Sequence, residues 1–192
     1  MQEKIAIDVV LLLPENINNI CKELNKSSNK QDYISFEDGY HPHITLGMGS
    51  LSLSDIESFE KELELILEGC EMPEIILTSF SSDVLDHFTL EVNEQLQKLH
   101  NVVFDLITKY SAGAVTIENF FEMTSTSFLI DWVNNFKENS AYLKYHSHIS
   151  LGVGITEVPL EFPIIFKPTL VALFHLGKHG TCKKMLNNFE LG

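Results

Sequence analysis

The chain contains one ten-residue segment twice, with the second copy 105 residues after the first. Residues 40–49 read YHPHITLGMG and residues 145–154 read YHSHISLGVG, so seven of the ten positions are identical. Four of the eight histidines of the chain fall at matching places in the two copies. This match is too close to assign to chance, and it predicts that one structural unit is built twice. We call the copies the first and the second motif.

Both motifs have the alternating pattern of a β-strand with one apolar face, because side chains two positions apart on a strand point to the same side. The apolar positions are Ile44, Leu46 and Met48 in the first motif and Ile149, Leu151 and Val153 in the second. The polar face carries His43 and Thr45 in one motif and His148 and Ser150 in the other. Two such strands brought together would line a cleft with two imidazoles and two hydroxyl groups.

Charge restricts the partners that this chain can bind. Its 192 residues carry 13 lysines and no arginine against 27 acidic residues, for a formal net charge of −14. A protein that follows a long phosphate backbone normally presents a basic face. We therefore expect no binding to long nucleic acid. The length fits one domain, residues 1–192, made of two closely joined lobes.

The cysteines and the apolar segments bear on localisation. The three cysteines, Cys21, Cys70 and Cys182, are far apart and odd in number, which favours reduced thiols in a cytoplasmic protein. The apolar run at 5–13 is too short to span a bilayer and lacks the features of a signal peptide. We interpret it as the first strand, and we expect a cytoplasmic protein with no membrane partner.

Strand and helix patterns alternate along the chain. Strands are predicted at 4–13, 41–51, 74–79, 88–92, 146–154 and 169–176, with a closing segment at 181–191. Helices are predicted at 15–25, from Ser54 with Glu57 completing a capping box, and after the N-cap Asn93. Residues 128–136 fit a strand or a helix, with Trp132 in the core. The fold class predicted from this order is α+β, with two similar lobes that face each other.

The paired Pro-His-Ile-Thr-Leu and Ser-His-Ile-Ser-Leu segments resemble the two-histidine (2H) phosphoesterase superfamily, which includes the LigT-type 2′-5′ RNA ligases and cyclic nucleotide phosphodiesterases. The resemblance covers most of the chain, more loosely over 111–145. It implies a bilobal pair of antiparallel sheets flanked by helices, with the motifs facing across a central cleft. It also implies that His43 and His148 are catalytic, that Thr45 and Ser150 bind the phosphate, and that no metal or other cofactor is needed.

This implied chemistry agrees with general acid–base principles. Breaking a phosphodiester needs a base to deprotonate the attacking water and an acid to protonate the leaving oxygen, and imidazole serves either purpose near neutral pH. We expect a monomer that acts on a small nucleotide or a short RNA end, such as a 2′,3′-cyclic phosphate or a 2′-5′ linkage. Tyr40, Tyr145 and His175 are candidate substrate contacts.

Two alternatives remain open from the sequence alone. The His-x-His spacing in each motif would also suit a transition-metal site of four imidazoles, formed by His41, His43, His146 and His148. A binding module that holds nucleotides without turning them over would keep the same cleft. His87 also fits the short His-x-Thr pattern, but no second copy accompanies it, and we interpret it as a strand residue without a role.

Overall fold

A computed structural model of the chain describes residues 3–28, 35–83, 85–123 and 125–190. The strands in these ranges are β1 (Lys4–Leu12), β2 (His43–Ser52), β3 (Ile75–Ser82), β4 (Asp86–Leu90), β5 (His148–Gly152), β6 (Ile164–Phe166), β7 (Leu170–Leu176) and β8 (Cys182–Phe189). The α-helices are α1 (Glu15–Lys26), α2 (Ile56–Glu68), α3 (Glu94–Lys109), α4 (Ser127–Asn134) and α5 (Phe136–Ser140). Residue 191 of the predicted closing segment lies outside the described residues.

The strands form two antiparallel sheets of four strands each. The first sheet has the order β2-β1-β7-β8, and the second has the order β5-β4-β3-β6. The first sheet combines the two ends of the chain, whereas the middle of the chain supplies the second. This confirms the predicted α+β fold of two lobes, each an antiparallel sheet flanked by helices. In each sheet the strand that carries a motif is an edge strand, and these two edge strands, β2 and β5, lie against each other.

Two of the three apolar residues of the first motif are buried under α3, whereas the third, Met48, faces the space between the two sheets. Ile44 and Leu46 have no exposed surface, and the side of α3 that packs on this sheet is apolar. Gly47 and Gly49 permit this contact, because a Cβ at Gly49 would lie 2.5 Å from Cγ2 of Ile107 on the helix. The burial of one face leaves His43 and Thr45 on the other.

The predicted starts of two helices have different outcomes. Asn93 is the N-cap of α3, and its side chain accepts a 2.9 Å hydrogen bond from the backbone N–H of Leu96. The capping box predicted at Ser54 is wrong. A 3-10 turn at Leu53–Asp55 precedes α2, so the N-cap is Asp55 and no side chain caps the helix. The Ser54 hydroxyl instead contacts that of Ser52 at 2.9 Å.

The segment that fitted a strand or a helix is helical. α4 spans Ser127–Asn134 and buries Leu129 and Val133, which are four residues apart on one face. The side chain of Thr126 caps it by accepting from the backbone N–H of Leu129. Trp132 is partly buried and packs against the core, so the prediction that it lies in the core is confirmed only in part. No helix in the described part of the chain is long and apolar enough to cross a bilayer.

Candidate active site

The two motifs line one cavity of about 230 Å³ between the sheets. The predicted residues His43, Thr45, His148 and Ser150 all contribute to its wall. The other lining residues come from β2, α4, α5, the approach to β5 and two loops: Met48, Leu85, Phe128, Leu129, Trp132, Phe136, Ser140, Tyr145, His146, Ser147, His179 and Gly180.

His43 is held in one orientation by the chain that precedes it. Its Nδ1 lies 2.7 Å from the carbonyl oxygen of His41, and a carbonyl only accepts, so Nδ1 carries the proton. Nε2 of the neutral ring is then the free basic atom. Burial lowers the pKa of His43 to about 4, against the effect of this hydrogen bond.

A buried carboxylate, Asp8 on β1, lies behind the first motif. Its Oδ2 accepts a 3.0 Å hydrogen bond from the hydroxyl of Thr45 and is 3.7 Å from Nε2 of His43. Its Oδ1 is buried and has no hydrogen-bond partner among the described residues. Burial raises the pKa of Asp8 well above its usual range, while the bonds from Thr45 and Cys182 act in the opposite direction.

His148 lies in a group of imidazoles. Its ring centroid is 5.4 Å from that of His87 on β4 and 6.5 Å from that of His146. His148 is the first residue of β5, and its exposed side chain lines the cavity. Desolvation, followed by the influence of His87, His146 and His43, lowers the pKa of His148 to about 4. Both motif histidines are therefore neutral in the free protein at pH 7.

The two hydroxyl residues differ in their partners. Thr45 donates to Asp8, as described above, whereas no hydrogen bond of the Ser150 side chain to the described residues is found. The Ser150 hydroxyl is therefore available to a ligand in the cavity. If Asp8 is protonated, its O–H can donate to Thr45, and this frees the Thr45 hydroxyl to donate into the cavity as well.

One side of the cavity is aromatic. Phe128 and Trp132 on α4 stack with their ring centroids 6.1 Å apart, and Phe128 is 73% exposed. An exposed aromatic pair beside a polar site is a surface on which a flat ring can stack. No lysine is among the described residues that line the cavity, and the chain contains no arginine.

The three candidate substrate contacts have separate positions. Tyr145 lines the cavity but is buried, with its hydroxyl bonded to the carbonyl oxygen of Thr45. Tyr40 is outside the lining, and its hydroxyl donates to the carboxylate of Glu122 at 2.8 Å. His175 is also outside, with Nε2 2.9 Å from the carbonyl oxygen of Asn119. Of the three residues, only Tyr145 lines this cavity.

The four imidazoles of the motifs do not converge on one point. The ring of His41 packs against Phe174, with centroids 5.6 Å apart. Within the described ranges, the metal-ligating side chains that come close enough to share an ion are Asp8, His43 and Cys182. The geometry therefore gives no support to a four-histidine metal site.

Comparisons with known proteins establish the fold. No profile of a known protein family and no curated protein matches the sequence. Among solved structures, E. coli LigT in complex with NADP+ superposes with a TM-score of 0.56 at 14% identity, over 98% of this chain and 99% of LigT. The protein TT0787 of Thermus thermophilus superposes with a TM-score of 0.57 at 14% identity, over 97% and 98%. LigT in complex with 3′-AMP gives 0.52 at 16% identity, over 98% and 99%. The chain therefore has the two-lobed LigT fold.

Sequence reasoning misses three parts of this site. In the sequence, Asp8 only interrupts an apolar strand, and His87 has no second copy that would mark it. Trp132 is predicted in the core but lines the cavity. Asp8 could have been recognised from the sequence as an acidic residue within an apolar strand, because a buried carboxylate needs a partner.

Proposed function

We propose that this protein is a phosphodiesterase that opens a 2′,3′-cyclic phosphate, or cleaves a 2′-5′ linkage, in a small nucleotide or RNA end without a metal ion. The observation that carries this proposal is the presence of His43 and His148 in one cavity, on edge strands of opposite sheets. Two imidazoles on different walls suit an in-line displacement, in which one removes a proton and the other supplies one. The LigT fold supports a phosphoesterase of this kind.

The surroundings of the two histidines favour different roles for them. His148 has two imidazole neighbours, which oppose its protonation, so it suits the base that deprotonates the attacking water. Oδ2 of Asp8 lies 3.7 Å from Nε2 of His43, and in its ionised form this carboxylate would stabilise a protonated ring. His43 therefore suits the acid that protonates the leaving oxygen as the P–O bond breaks. Thr45 and Ser150 would donate hydrogen bonds to the non-bridging oxygens.

The rest of the cavity favours a small substrate of low charge. The aromatic pair Phe128 and Trp132 offers a stacking surface for a base beside the catalytic groups. The absence of lysine from the described lining leaves no cation there for additional phosphates. We therefore propose that the substrate is a nucleoside 2′,3′-cyclic monophosphate or a short 2′-5′-linked oligonucleotide and not a long RNA.

The test is turnover of a panel of 2′,3′-cyclic nucleotides in excess EDTA, with products resolved by phosphorus NMR. We expect hydrolysis by the wild type and its loss in His43→Gln and His148→Gln. His175→Gln is the matched control, because His175 is a strand histidine outside the cavity. Near-full activity in either motif variant would contradict the mechanism, and binding of nucleotides without any turnover would identify a binding module.

A second substrate distinguishes the proposed acid, His43, from the proposed base, His148. A phosphodiester with a p-nitrophenolate leaving group needs little protonation of the leaving oxygen. His43→Gln should therefore recover much of its activity on this substrate, whereas His148→Gln should not. The reverse result would exchange the two roles.

A further inference from the structure

Three side chains of different chemistry converge beside the first motif. Oδ2 of Asp8 is 3.7 Å from Nε2 of His43 and 3.8 Å from Sγ of Cys182. One donor atom from each of the three residues lies within 4.8 Å of those of the other two. Asp8 and Cys182 are fully buried, and His43 is partly buried. We call this group the Asp–His–Cys cluster.

The fold closes around this cluster. Asp8 is on β1 and His43 is the first residue of β2, which are paired strands. Cys182 opens β8 at the opposite edge of the same sheet, but the N–H of His41 donates a 2.8 Å hydrogen bond to its carbonyl oxygen. This bond holds the beginning of β8 against the approach to β2. Backbone pairing therefore fixes all three donors, and His43 connects them to the cavity.

Two of the three donor separations, 3.7 and 3.8 Å, agree with the spacing of ligands around zinc. Zinc bonds of about 2.0–2.3 Å in a tetrahedral arrangement place neighbouring donor atoms roughly 3.3–3.8 Å apart. Thiolate, imidazole and carboxylate are its usual protein ligands, and three of them leave a fourth position for water or a substrate. Oδ1 of Asp8 supplies independent support, because it is buried without a hydrogen-bond partner in the described part of the chain. A buried carboxylate in that condition is stabilised by coordination to a cation.

We propose that the Asp–His–Cys cluster is a binding site for a zinc-class divalent ion, which inhibits the enzyme. Coordination would use Nε2 of His43, the free basic nitrogen of that ring, and would remove it from proton transfer. The inhibitory effect rests on the proposed function, whereas ion binding does not. Cys182 is absent from the cavity lining and takes no part in the proposed proton transfers. A change in zinc sensitivity on replacing Cys182 would therefore report on the thiol as a metal ligand.

Cobalt binding tests the site directly. Untagged protein is freed of metal with EDTA, exchanged into chelator-free buffer and titrated with Co²⁺, while absorption is followed in the near ultraviolet and the visible. A thiolate ligand gives a sulfur-to-cobalt charge-transfer band, and we expect it to saturate at one equivalent. Cys182→Ser should lose the band, and Cys70→Ser should keep it, because Cys70 is at the end of α2 with its thiol directed to the carbonyl oxygen of Ile66.

Zinc titration of turnover tests the consequence. Stoichiometric Zn²⁺ should inhibit the wild type and Cys70→Ser, and EDTA should restore activity. Inhibition is expressed relative to the turnover of each variant in EDTA. In Cys182→Ser, half inhibition should require a zinc concentration more than about 100-fold higher, because changes around a metal ligand already cost about 10- to 100-fold in affinity. No cobalt band at stoichiometric metal, or a band that persists in Cys182→Ser, would overturn the site. Zinc activation would overturn the inhibitory role.

The two proposals fail in different ways. An enzyme that is active in EDTA but gives no cobalt band would retain the proposed function and lose the metal site. A protein that hydrolyses none of the panel but shows the Cys182-dependent band would retain the metal site and lose the proposed function.

Discussion

The hydroxyl group of Tyr145 donates a 2.8 Å hydrogen bond to the backbone carbonyl of Thr45, 100 residues earlier in the chain. The first residue of the second motif is thus attached to the centre of the first. Its ring stacks on His100 of α3, with centroids 3.9 Å apart. His100 in turn contacts the carbonyl oxygen of Leu46 through Nδ1 and accepts from the N–H of Tyr142. This network connects the approach to β5 with β2 and α3.

Tyr145→Phe should therefore weaken both the fold and the alignment of the motifs. Loss of one buried hydrogen bond is expected to lower the free energy of unfolding by about 1 kcal/mol, because the Thr45 carbonyl loses its partner. We expect a lower kcat as well, measured beside chemical denaturation. Tyr142→Phe is the control, since the hydroxyl of Tyr142 bonds to Asp105 on the surface. Equal effects in both variants would contradict an inter-motif role.

The two hydroxyl residues should respond differently to removal. Ser150→Ala should lower kcat on the order of a hundredfold, as for one lost transition-state donor, with little change in stability. Thr45→Val should lower kcat and also stability, because Oδ2 of Asp8 would lose its 3.0 Å hydrogen bond. Steady-state kinetics and thermal unfolding of both variants separate these effects. A stability loss in Ser150→Ala as large as that in Thr45→Val would be inconsistent with the observed contacts.

The pH dependence of kcat/KM should have its maximum on the acidic side of the ordinary histidine pKa, about 6.5. The pKa of His148 is lowered to about 4, first by desolvation and then by His87. The proposed acid, His43, must be protonated, and burial lowers its pKa to about 4 as well, so the rate should fall as pH rises above that value. His87→Gln removes an imidazole that lowers the pKa of His148, so this pKa should rise and the acidic limb of the profile, set by the proposed base, should move to higher pH.

His175→Gln is the control for this shift, because His175 is not in contact with the cavity. The measurement is kcat/KM in EDTA between about pH 4 and 8, a range that spans the ordinary histidine pKa. A wild-type rate that climbs steadily through neutral pH would argue against the pair of histidines. A profile unchanged by His87→Gln would remove His87 from the site.

The sequence predicts the four motif residues and the two sheets because the two faces of a strand are encoded in alternate positions. It does not predict Asp8, whose importance depends on Thr45 and Cys182, residues far away in the chain. The sequence also does not show that the ring of His87 lies 5.4 Å from that of His148, because the short segment around His87 carries no sign of a partner. This proximity comes from strand pairing, which places β4 beside β5, with His87 opposite Ser150.

The glycines at matching positions of the two motifs are required for different physical reasons. Gly47 and Gly49 allow the close approach of α3. Gly152 and Gly154 instead have φ of 146° and 81°, a region that favours glycine. A sequence repeat shows that glycine is needed at both places, but only the tertiary structure shows why.

Gly49→Ala should consequently destabilise the fold by overpacking. The added Cβ would lie 2.5 Å from Cγ2 of Ile107, which forces α3 away from β2. The expected loss is about 1–3 kcal/mol in the free energy of unfolding. Gly69→Ala is the matched control, because the nearest atom to its new Cβ is 3.6 Å away. Similar denaturation midpoints for the two variants would show that α3 does not pack as closely as described.

The aromatic pair on α4 should determine affinity more than rate. Phe128 is 73% exposed and stacks on Trp132 at the edge of the cavity. Neither ring takes part in the proposed proton transfers or in the proposed contacts to the phosphate. Base stacking contributes about 1–3 kcal/mol per base, and Trp132→Ala should therefore raise KM about 5- to 150-fold with a smaller change in kcat. The loss should be greater for purine than for pyrimidine cyclic phosphates, because the larger ring stacks over more area. Phe121→Ala is the control, since Phe121 is also exposed but contacts His175 outside the cavity. An unchanged KM for both base types would place the base on another wall of the cavity.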